Sequence, residues 1–348
     1  MRKVRIGNKW IGEGEPCFII AEAGVNHNGD INLAKKLIDV AEEAGADAVK
    51  FQTFNAEAVV TREAEKAAYQ KAATGANGSQ LEMIKKLELA EKDFAGLYDY
   101  AQEKGIIFLS SPFDQASVDI LDNLGVPAFK IPSGEITNFP LLEYIARKKK
   151  PLIFSTGMST LGEVEEALGV LRREGVREII LLHCVSSYPA KVADMNLKVM
   201  ETLRYAFRLP VGLSDHTLGI TVPIAAIALG ACIIEKHFTL DRSLPGPDHK
   251  ASLEPGELQE MVGAIRDVEA AMGDGVKRLT KDERETQKVA RRSLVARVDI
   301  PGGATITEEM LAIKRPGTGI EAKYLGMVIG RRAKENIPKD DLITWEII

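Results

Sequence analysis

Five histidines occur in the 348 residues, and each stands at or just beyond the C-terminal end of a segment that reads as a buried strand. His27 follows the run from Cys17, His183 closes Ile179–Leu182, and His216 follows Val211–Asp215. His237 closes Cys232–Lys236, and His249 lies in the loop after it. Imidazoles gathered on one edge of a parallel sheet point to catalytic or metal chemistry, because the loops there converge on a single mouth. His216 and His237 end neighbouring strands, so their rings can meet on one ion. Two imidazoles with oxygen ligands suit Mn²⁺, Fe²⁺, Co²⁺ or Zn²⁺ and leave positions open for substrate. Two separately hydrogen-bonded histidines are the plain alternative. Asp215 or Glu235 could serve as a further ligand or orient an imidazole.

The same strand ends carry a second set of groups: Lys50 and Lys130, with Ser111, Ser133, Ser155 and Ser214 around them. Two ammoniums among hydroxyls and backbone N–H groups form a site for phosphate, or phosphate plus carboxylate. Each charge-assisted bond there contributes roughly 1.5–3 kcal/mol. Any one of these serines alone reads better as a turn or cap; the set reads as an anion site. No G-x-x-x-x-G-K-[ST] or G-x-G-x-x-G run is present, which argues against nucleotides. Glu22 and Glu135 at the rim are candidates for proton transfer, or plain partners for the lysines.

These positions are set by short β-branched runs that alternate with helical patterns. Strands are expected over residues 18–21, 48–51, 106–109, 128–131, 152–155, 179–182, 211–213 and 232–235. Amphipathic helices such as 33–44, 92–104, 116–124, 141–146 and 161–173 lie between them. Near-continuous apolar strands covered by helices make an α/β protein, and eight units close a (β/α)₈ TIM barrel; an open doubly wound sheet is the alternative. Residues 55–89 are too long for a simple connection and are expected to form a lid or extra helices over the mouth. The barrel is expected to span residues 1–275 and a charged linker 276–291. Residues 292–348 read as a small, mainly β domain with strands at 293–298, 300–306, 311–314 and 332–337. At this size it should lean on its own barrel or a neighbour's.

A hydrophobic content of 45% supports a sizeable core, and a net charge of −5 gives no reason to expect nucleic acid. Cys17, Cys184 and Cys232 lack C-x-x-C spacing and read as small core hydrophobes in a reducing compartment. No apolar run reaches the ~18–20 residues that span a membrane, and the first residues do not look like a signal peptide. A soluble cytoplasmic protein is expected.

Several motifs taken together resemble bacterial N-acetylneuraminate (sialic acid) synthases. They are Glu22-Ala-Gly-Val-Asn-His-Asn-Gly-Asp, Val49-Lys-Phe-Gln, Ser111-Pro-Phe-Asp, Phe129-Lys-Ile-Pro-Ser-Gly-Glu and Ser155-Thr-Gly-Met. Leu182-His-Cys-Val-Ser-Ser-Tyr-Pro, Gly212-Leu-Ser-Asp-His and Glu235-Lys-His-Phe-Thr-Leu-Asp complete the set. Residues 292–348, with Ile313-Lys-Arg-Pro-Gly-Thr-Gly-Ile, are similar to that family's antifreeze-like (SAF) domain. The resemblance implies condensation of phosphoenolpyruvate with the open-chain aldehyde of N-acetylmannosamine and water, releasing phosphate. It implies that Lys50, Ser111, Lys130, Ser133, Ser155 and Ser214 hold phosphoenolpyruvate, and that His216 and His237 carry Mn²⁺, with Mg²⁺ or Co²⁺ as alternatives. Gln52, Tyr188 and Asp248 would face the sugar. Arg315 would reach the acetamido group in a second protomer's barrel, making a domain-swapped homodimer. Ser111 stands where the family commonly has threonine, which keeps the hydroxyl. Residues 67–89 match least well, and sugar specificity would be set there.

The run after Lys130 looks less like pseudaminic acid synthases. That leaves legionaminic acid synthase, acting on 2,4-diacetamido-2,4,6-trideoxymannose, as the main rival. A Schiff-base aldolase using Lys130 or Lys236 is a second enzyme class. A SAF-type ice- or carbohydrate-binding module is the non-enzymatic alternative.

Overall fold

A computed structural model describes residues 3–348 and divides them into two compact units, one ending at Gly273 and one covering Asp274–Ile348. The first unit begins with an antiparallel hairpin, β1 (Val4–Ile6) and β2 (Lys9–Ile11), whose turn falls at Gly7-Asn8. Eight parallel strands follow: β3 (Phe18–Gly24), β4 (Ala48–Thr53), β5 (Ile107–Pro112), β6 (Phe129–Ile131), β7 (Leu152–Ser155), β8 (Ile179–Cys184), β9 (Val211–Asp215) and β10 (Ile233–His237). They pair in the order β5-β4-β3-β10-β9-β8-β7-β6. The two ends of that order, β5 and β6, pack side by side and close the ring. This is the expected (β/α)₈ barrel.

A helix follows each strand on the outside, among them Ile31–Glu43, Glu91–Lys104, Gln115–Leu124 and Leu161–Arg173. Their starts are written in the sequence: Asp30 caps the first, and Thr160 with Glu163 forms a capping box on the last of these four. Two of them stop at Gly105 and Gly125, which adopt φ of 76° and 79° where a side chain would be strained.

Strand parity divides the core in two. Ile19, Val49, Phe108, Phe154, Leu181 and Leu213 face the helices. Phe18, Ile20, Ala48, Leu109, Ala128, Ile153, Ile180 and Leu182 fill the barrel interior together with Val4, Ile6 and Ile11 of the hairpin. The hairpin therefore plugs the N-terminal end of the barrel, and the C-terminal end is left for other residues. Sequence reading passed over this plug, although Gly-Asn between alternating apolar residues is a hairpin signal.

In the second unit, β11 (Ser293–Ala296) and β12 (Leu311–Lys314) pair antiparallel over a separate core that includes Leu294, Ile300, Ile306, Ile320, Ile337 and Ile343. The other two expected strands, 300–306 and 332–337, make only isolated bridges, Ile300 with Ile337 and Thr305 with Arg332. Pro301 removes a ladder donor there and Gly302-Gly303 breaks the extension. The segment expected to be a linker holds a helix, Lys281–Ala290. Its capping box closes with Thr280 N donating to Glu283 Oε2 at 2.8 Å and Glu283 N donating to Thr280 Oγ1 at 3.2 Å. A charged face hid that pattern. No helix among the described residues is long and apolar enough to cross a membrane.

Candidate active site

The parity that sends Ile20, Ala48, Leu109, Ala128, Ile153 and Ile233 inward sends the residue two places on inward as well. Those residues are Glu22, Lys50, Ser111, Lys130, Ser155 and Glu235, and with Ser214 they form the floor of a cavity of about 530 Å³ at the C-terminal mouth. Lys50 Nζ lies 2.6 Å from Glu22 Oε2 and 3.7 Å from Glu235 Oε2, and it donates to Ser111 Oγ at 3.1 Å. Lys130 Nζ lies 3.2 Å from Glu235 Oε1, which also accepts from Ser214 Oγ at 2.8 Å. Gln52 Nε2 donates to Glu22 Oε1 at 3.4 Å. Two ammoniums and two carboxylates thus alternate in a chain sealed from water, since all four are 4% exposed or less.

This arrangement separates the two acids. Burial pushes Glu22 up to about 7 against the attraction of Lys50, with Glu235 adding to the rise. Burial acts the same way on Glu235, but Lys130 and Lys50 outweigh it and hold that carboxyl down to about 2. Burial lowers Lys130, with Glu235 resisting; Lys50 also suffers burial, yet Glu22 and Glu235 keep it raised. A pair of acids with opposed protonation tendencies is a common basis for acid–base work.

Hydroxyls flank the lysines. Ser155 Oγ is buried without a hydrogen-bond partner, and Ser133 Oγ accepts from Gly157 N at 3.0 Å. Gly157 keeps this wall open, because a Cβ there would meet both Ser133 Oγ and Ser186 Oγ. A buried hydroxyl without a protein partner, in a cavity also lined by two lysines, suits an anion.

Above the floor, the rings of His216 and His237 face each other with centroids 5.4 Å apart. Tyr188 packs on both, at 4.2 Å from His216 and 5.9 Å from His237, and Tyr69 stacks on Tyr188 at 5.1 Å. His216 Nδ1 bonds the Val185 carbonyl at 2.8 Å, which makes it a protonated nitrogen and leaves Nε2 as the ring atom toward the cavity. Burial lowers this imidazole, but the Cys184 side chain and the Val185 carbonyl raise it above its ordinary value. His237 Nδ1 is buried with no partner, and burial holds this imidazole well below its ordinary value, neutral at physiological pH. Among the described residues no cluster of three or more His, Cys, Asp or Glu is placed to hold an ion. Two imidazoles alone would leave an ion to take its other ligands from water and substrate. Asp248, raised to about 6 by burial, also faces the cavity.

Other expected residues fall elsewhere. Glu135 does not line the cavity; it is half-buried and accepts from Asn138 Nδ2 at 2.6 Å, as a turn residue would. His183 has the outward parity and bonds Met195 O at 2.6 Å. His27 accepts from Gly29 N at 3.0 Å, and His249 lies 2.7 Å from Thr239 Oγ1, so these three histidines are held by structural partners away from the His216–His237 pair. Asp215 and Lys236 face outward and pair with each other, which removes both from the cavity. Glu235 binds the lysines rather than an imidazole. Arg315 belongs to the second unit, where its Nε donates to Ala290 O at 3.1 Å.

Cys184, Ser186 and Gly157 were missed, though Cys184 shares the inward parity of Ile180 and Leu182. Residues 55–89 do form extra helices, Ala56–Val59, Ala68–Thr74 and Gln80–Lys85, and Val59, Tyr69, Met83 and Ile84 line the cavity from them.

Comparison with known proteins gives two family matches, the NeuB family over residues 37–277 and the SAF domain over residues 291–347. An N,N'-diacetyllegionaminic acid synthase of Campylobacter jejuni is 53% identical over 328 residues, covering 94% of this chain and 98% of that protein. A synthase of the same name from Legionella pneumophila is 49% identical over 351 residues, covering 100% and 98%. The crystal structure of an N-acetylneuraminic acid synthetase from Leptospira borgpetersenii superposes with a TM-score of 0.72 at 38% identity, covering 82% of this chain and 95% of that one.

Proposed function

As a member of the NeuB family carrying a SAF domain, this chain is a phosphoenolpyruvate-dependent condensing enzyme of the sialic, legionaminic and pseudaminic acid synthase group, and we propose that its aldehyde is 2,4-diacetamido-2,4,6-trideoxymannose. The reaction joins carbon 3 of phosphoenolpyruvate to the aldehyde carbon, adds water at carbon 2 and releases phosphate. The observation that carries the reading is the buried chain Glu22–Lys50–Glu235–Lys130 beneath two facing imidazoles.

Lys50 and Lys130, with Ser111, Ser133, Ser155 and Ser214, hold the phosphate and carboxylate, each lysine trading part of its carboxylate contact for the ligand. Bond formation leaves positive charge at carbon 2, and Glu22, tied to Lys50 and Gln52, takes the proton of the water that attacks there. The low pKa of Glu235 keeps it a carboxylate that fixes both lysines. A divalent ion held by His216 and His237, Mn²⁺ with Mg²⁺ or Co²⁺ as alternatives, would polarise the aldehyde oxygen as a Lewis acid. Gln52, Tyr188 and Asp248 line the remaining wall toward the sugar.

Sequence motifs alone put N-acetylmannosamine first. The diacetamido sugar is favoured by the two relatives named for legionaminic acid synthesis, each about half identical over nearly the whole chain. The outer cavity supports it: Val59, Val60, Met83, Ile84 and Leu87 make an apolar wall. Among the described residues the lining carries no lysine or arginine beyond Lys50 and Lys130 at the floor. Such a wall suits an uncharged, deoxygenated sugar. The proposal also takes Arg315 from a second copy of the chain as the acetamido contact, in a homodimer, on family likeness alone.

Phosphate release with each aldehyde, in parallel, is the test. A higher kcat/KM for the diacetamido sugar and loss of turnover in EDTA are expected. Equal or better use of N-acetylmannosamine would overturn the sugar assignment, and full activity in EDTA would overturn the metal.

A further inference from the structure

Behind the lid-side wall of the active cavity lies a second one of about 350 Å³, between residues 66–87 and the Pro245–Pro247 loop. The two cavities share Met83, Leu87 and Pro247, so the partition between them is one side chain thick. Met83 and Leu87 are each only 8% exposed, and Met83 Sδ lies 3.5 Å from Thr74 Oγ1, whose proton goes to the Gln70 carbonyl at 2.8 Å.

The two faces of the partition differ in chemistry. Toward the active cavity the lid turns Val59, Val60 and Ile84. The far side presents Asn28, Thr74, Asn77 and Ser79 with three charged residues: Lys66 Nζ donates to the Gly75 and Asn77 carbonyls at 3.1 and 2.7 Å, Glu82 Oε2 accepts from Ser79 N at 3.2 Å, and Lys86 is exposed. With Lys66 tied to carbonyls and Lys86 exposed, the groups left to meet a ligand inside are mainly neutral amides and hydroxyls. A methionine partition is also the most adaptable that a wall can have, with three rotatable bonds and a polarisable sulfur.

We propose that the second cavity is an annex of the aldehyde site. It receives an uncharged acylamino substituent on the carbons far from the aldehyde, and Met83 sets how long that substituent can be. This rests on the condensing reaction proposed above.

The experiment measures kcat/KM at saturating phosphoenolpyruvate for two aldehydes that differ only in the distal amide, acetyl against butanoyl. Met83→Ala is expected to raise the butanoyl-to-acetyl ratio about tenfold or more, in the range that added methylenes confer in a fitted pocket. Adding Asn77→Trp, which fills the annex from its far side, cancels that gain while leaving the KM for phosphoenolpyruvate unchanged. Met83→Leu, stiffer at similar volume, lowers the ratio and provides the test should the alanine variant not fold. A ratio within twofold of the unmodified protein in every variant overturns the annex. Absence of phosphate release from the unmodified protein with either aldehyde would instead defeat the underlying reaction.

Discussion

Lys236 Nζ lies 2.5 Å from Asp215 Oδ2 and 2.5 Å from the Thr217 carbonyl, with both side chains buried on the outward faces of β10 and β9. Asp215 also accepts from Thr217 N and Oγ1, each at 3.0 Å, so the two side chains stitch together the backbone on either side of His216 and next to His237. The pair is a brace for the imidazoles, and it places this amine out of reach of a carbonyl substrate.

Lys236→Met leaves a buried carboxylate without its counter-ion, which costs about 3–5 kcal/mol. Denaturant unfolding should show that loss. Borohydride treatment with pyruvate should give no covalent adduct on the unmodified protein by mass spectrometry, whereas an adduct at Lys130 or Lys236 would restore the aldolase reading.

His237→Ala should remove divalent-ion binding while the fold survives, because Nδ1 makes no hydrogen bond that folding relies on. Titration calorimetry with Mn²⁺ reads the first effect and thermal unfolding the second. Mn²⁺ binding that persists unchanged would exclude this imidazole as a ligand.

Much of the site was legible because strand parity is a strict period of two. Once the strands were placed, Lys50, Ser111, Lys130, Ser155 and Ser214 had to share an interior. Parity also exposes the errors. His183 and Lys236 sit one residue out of phase with Cys184 and Glu235, and a strand-end position alone could not tell the two faces apart. Glu135 is placed differently: the short helix Ser133–Glu135 turns the chain after β6, and its carboxylate accepts from Asn138 rather than lining the cavity. The seating of the hairpin in the barrel and the annex depend on contacts between segments far apart in sequence; only the hairpin's own turn, at Gly7-Asn8, is marked locally.

Glu22 gives a pH signature with a definite sign. Its carboxyl rises from an ordinary 4.5 to about 7 through burial, with Lys50 opposing. As a base it must be ionised, so kcat/KM for phosphoenolpyruvate should climb with pH through about 7. Glu22→Gln should remove that limb and cost on the order of 10²–10⁴ in rate. Stability runs the other way. The folded protein holds this proton more tightly than the unfolded chain, so the contribution is full below 4.5 and is lost as pH rises toward 7. The glutamine variant should show a flatter stability profile across that window, and an unchanged profile would contradict the assignment.

Lys130→Met should raise the KM for phosphoenolpyruvate by about 10- to 150-fold, the equivalent of one charge-assisted contact of roughly 1.5–3 kcal/mol. Lys50→Met should do the same and also raise the pKa of the kinetic limb, because Glu22 loses its nearest cation. That second effect should be larger for Lys50 than for Lys130, which lowers Glu22 more weakly and pairs with Glu235.

Gly157→Ala tests the anion wall without touching a charge. The added methyl would collide with the hydroxyls of Ser133 and Ser186 and approach Cys184 Sγ to 3.1 Å, all on the cavity side. The backbone N–H of residue 157 now donates to Ser133 Oγ at 3.0 Å, and that contact must give way or tilt the serine. Gly157 does not sit in the left-handed region, so alanine brings no backbone strain there and the thermal midpoint should move little. The damage should fall on binding: KM for phosphoenolpyruvate rises about tenfold while the KM for the aldehyde stays put, as loss of one neutral or weakly charged hydrogen bond would give. A variant whose two KM values rise together would place this wall under the sugar instead.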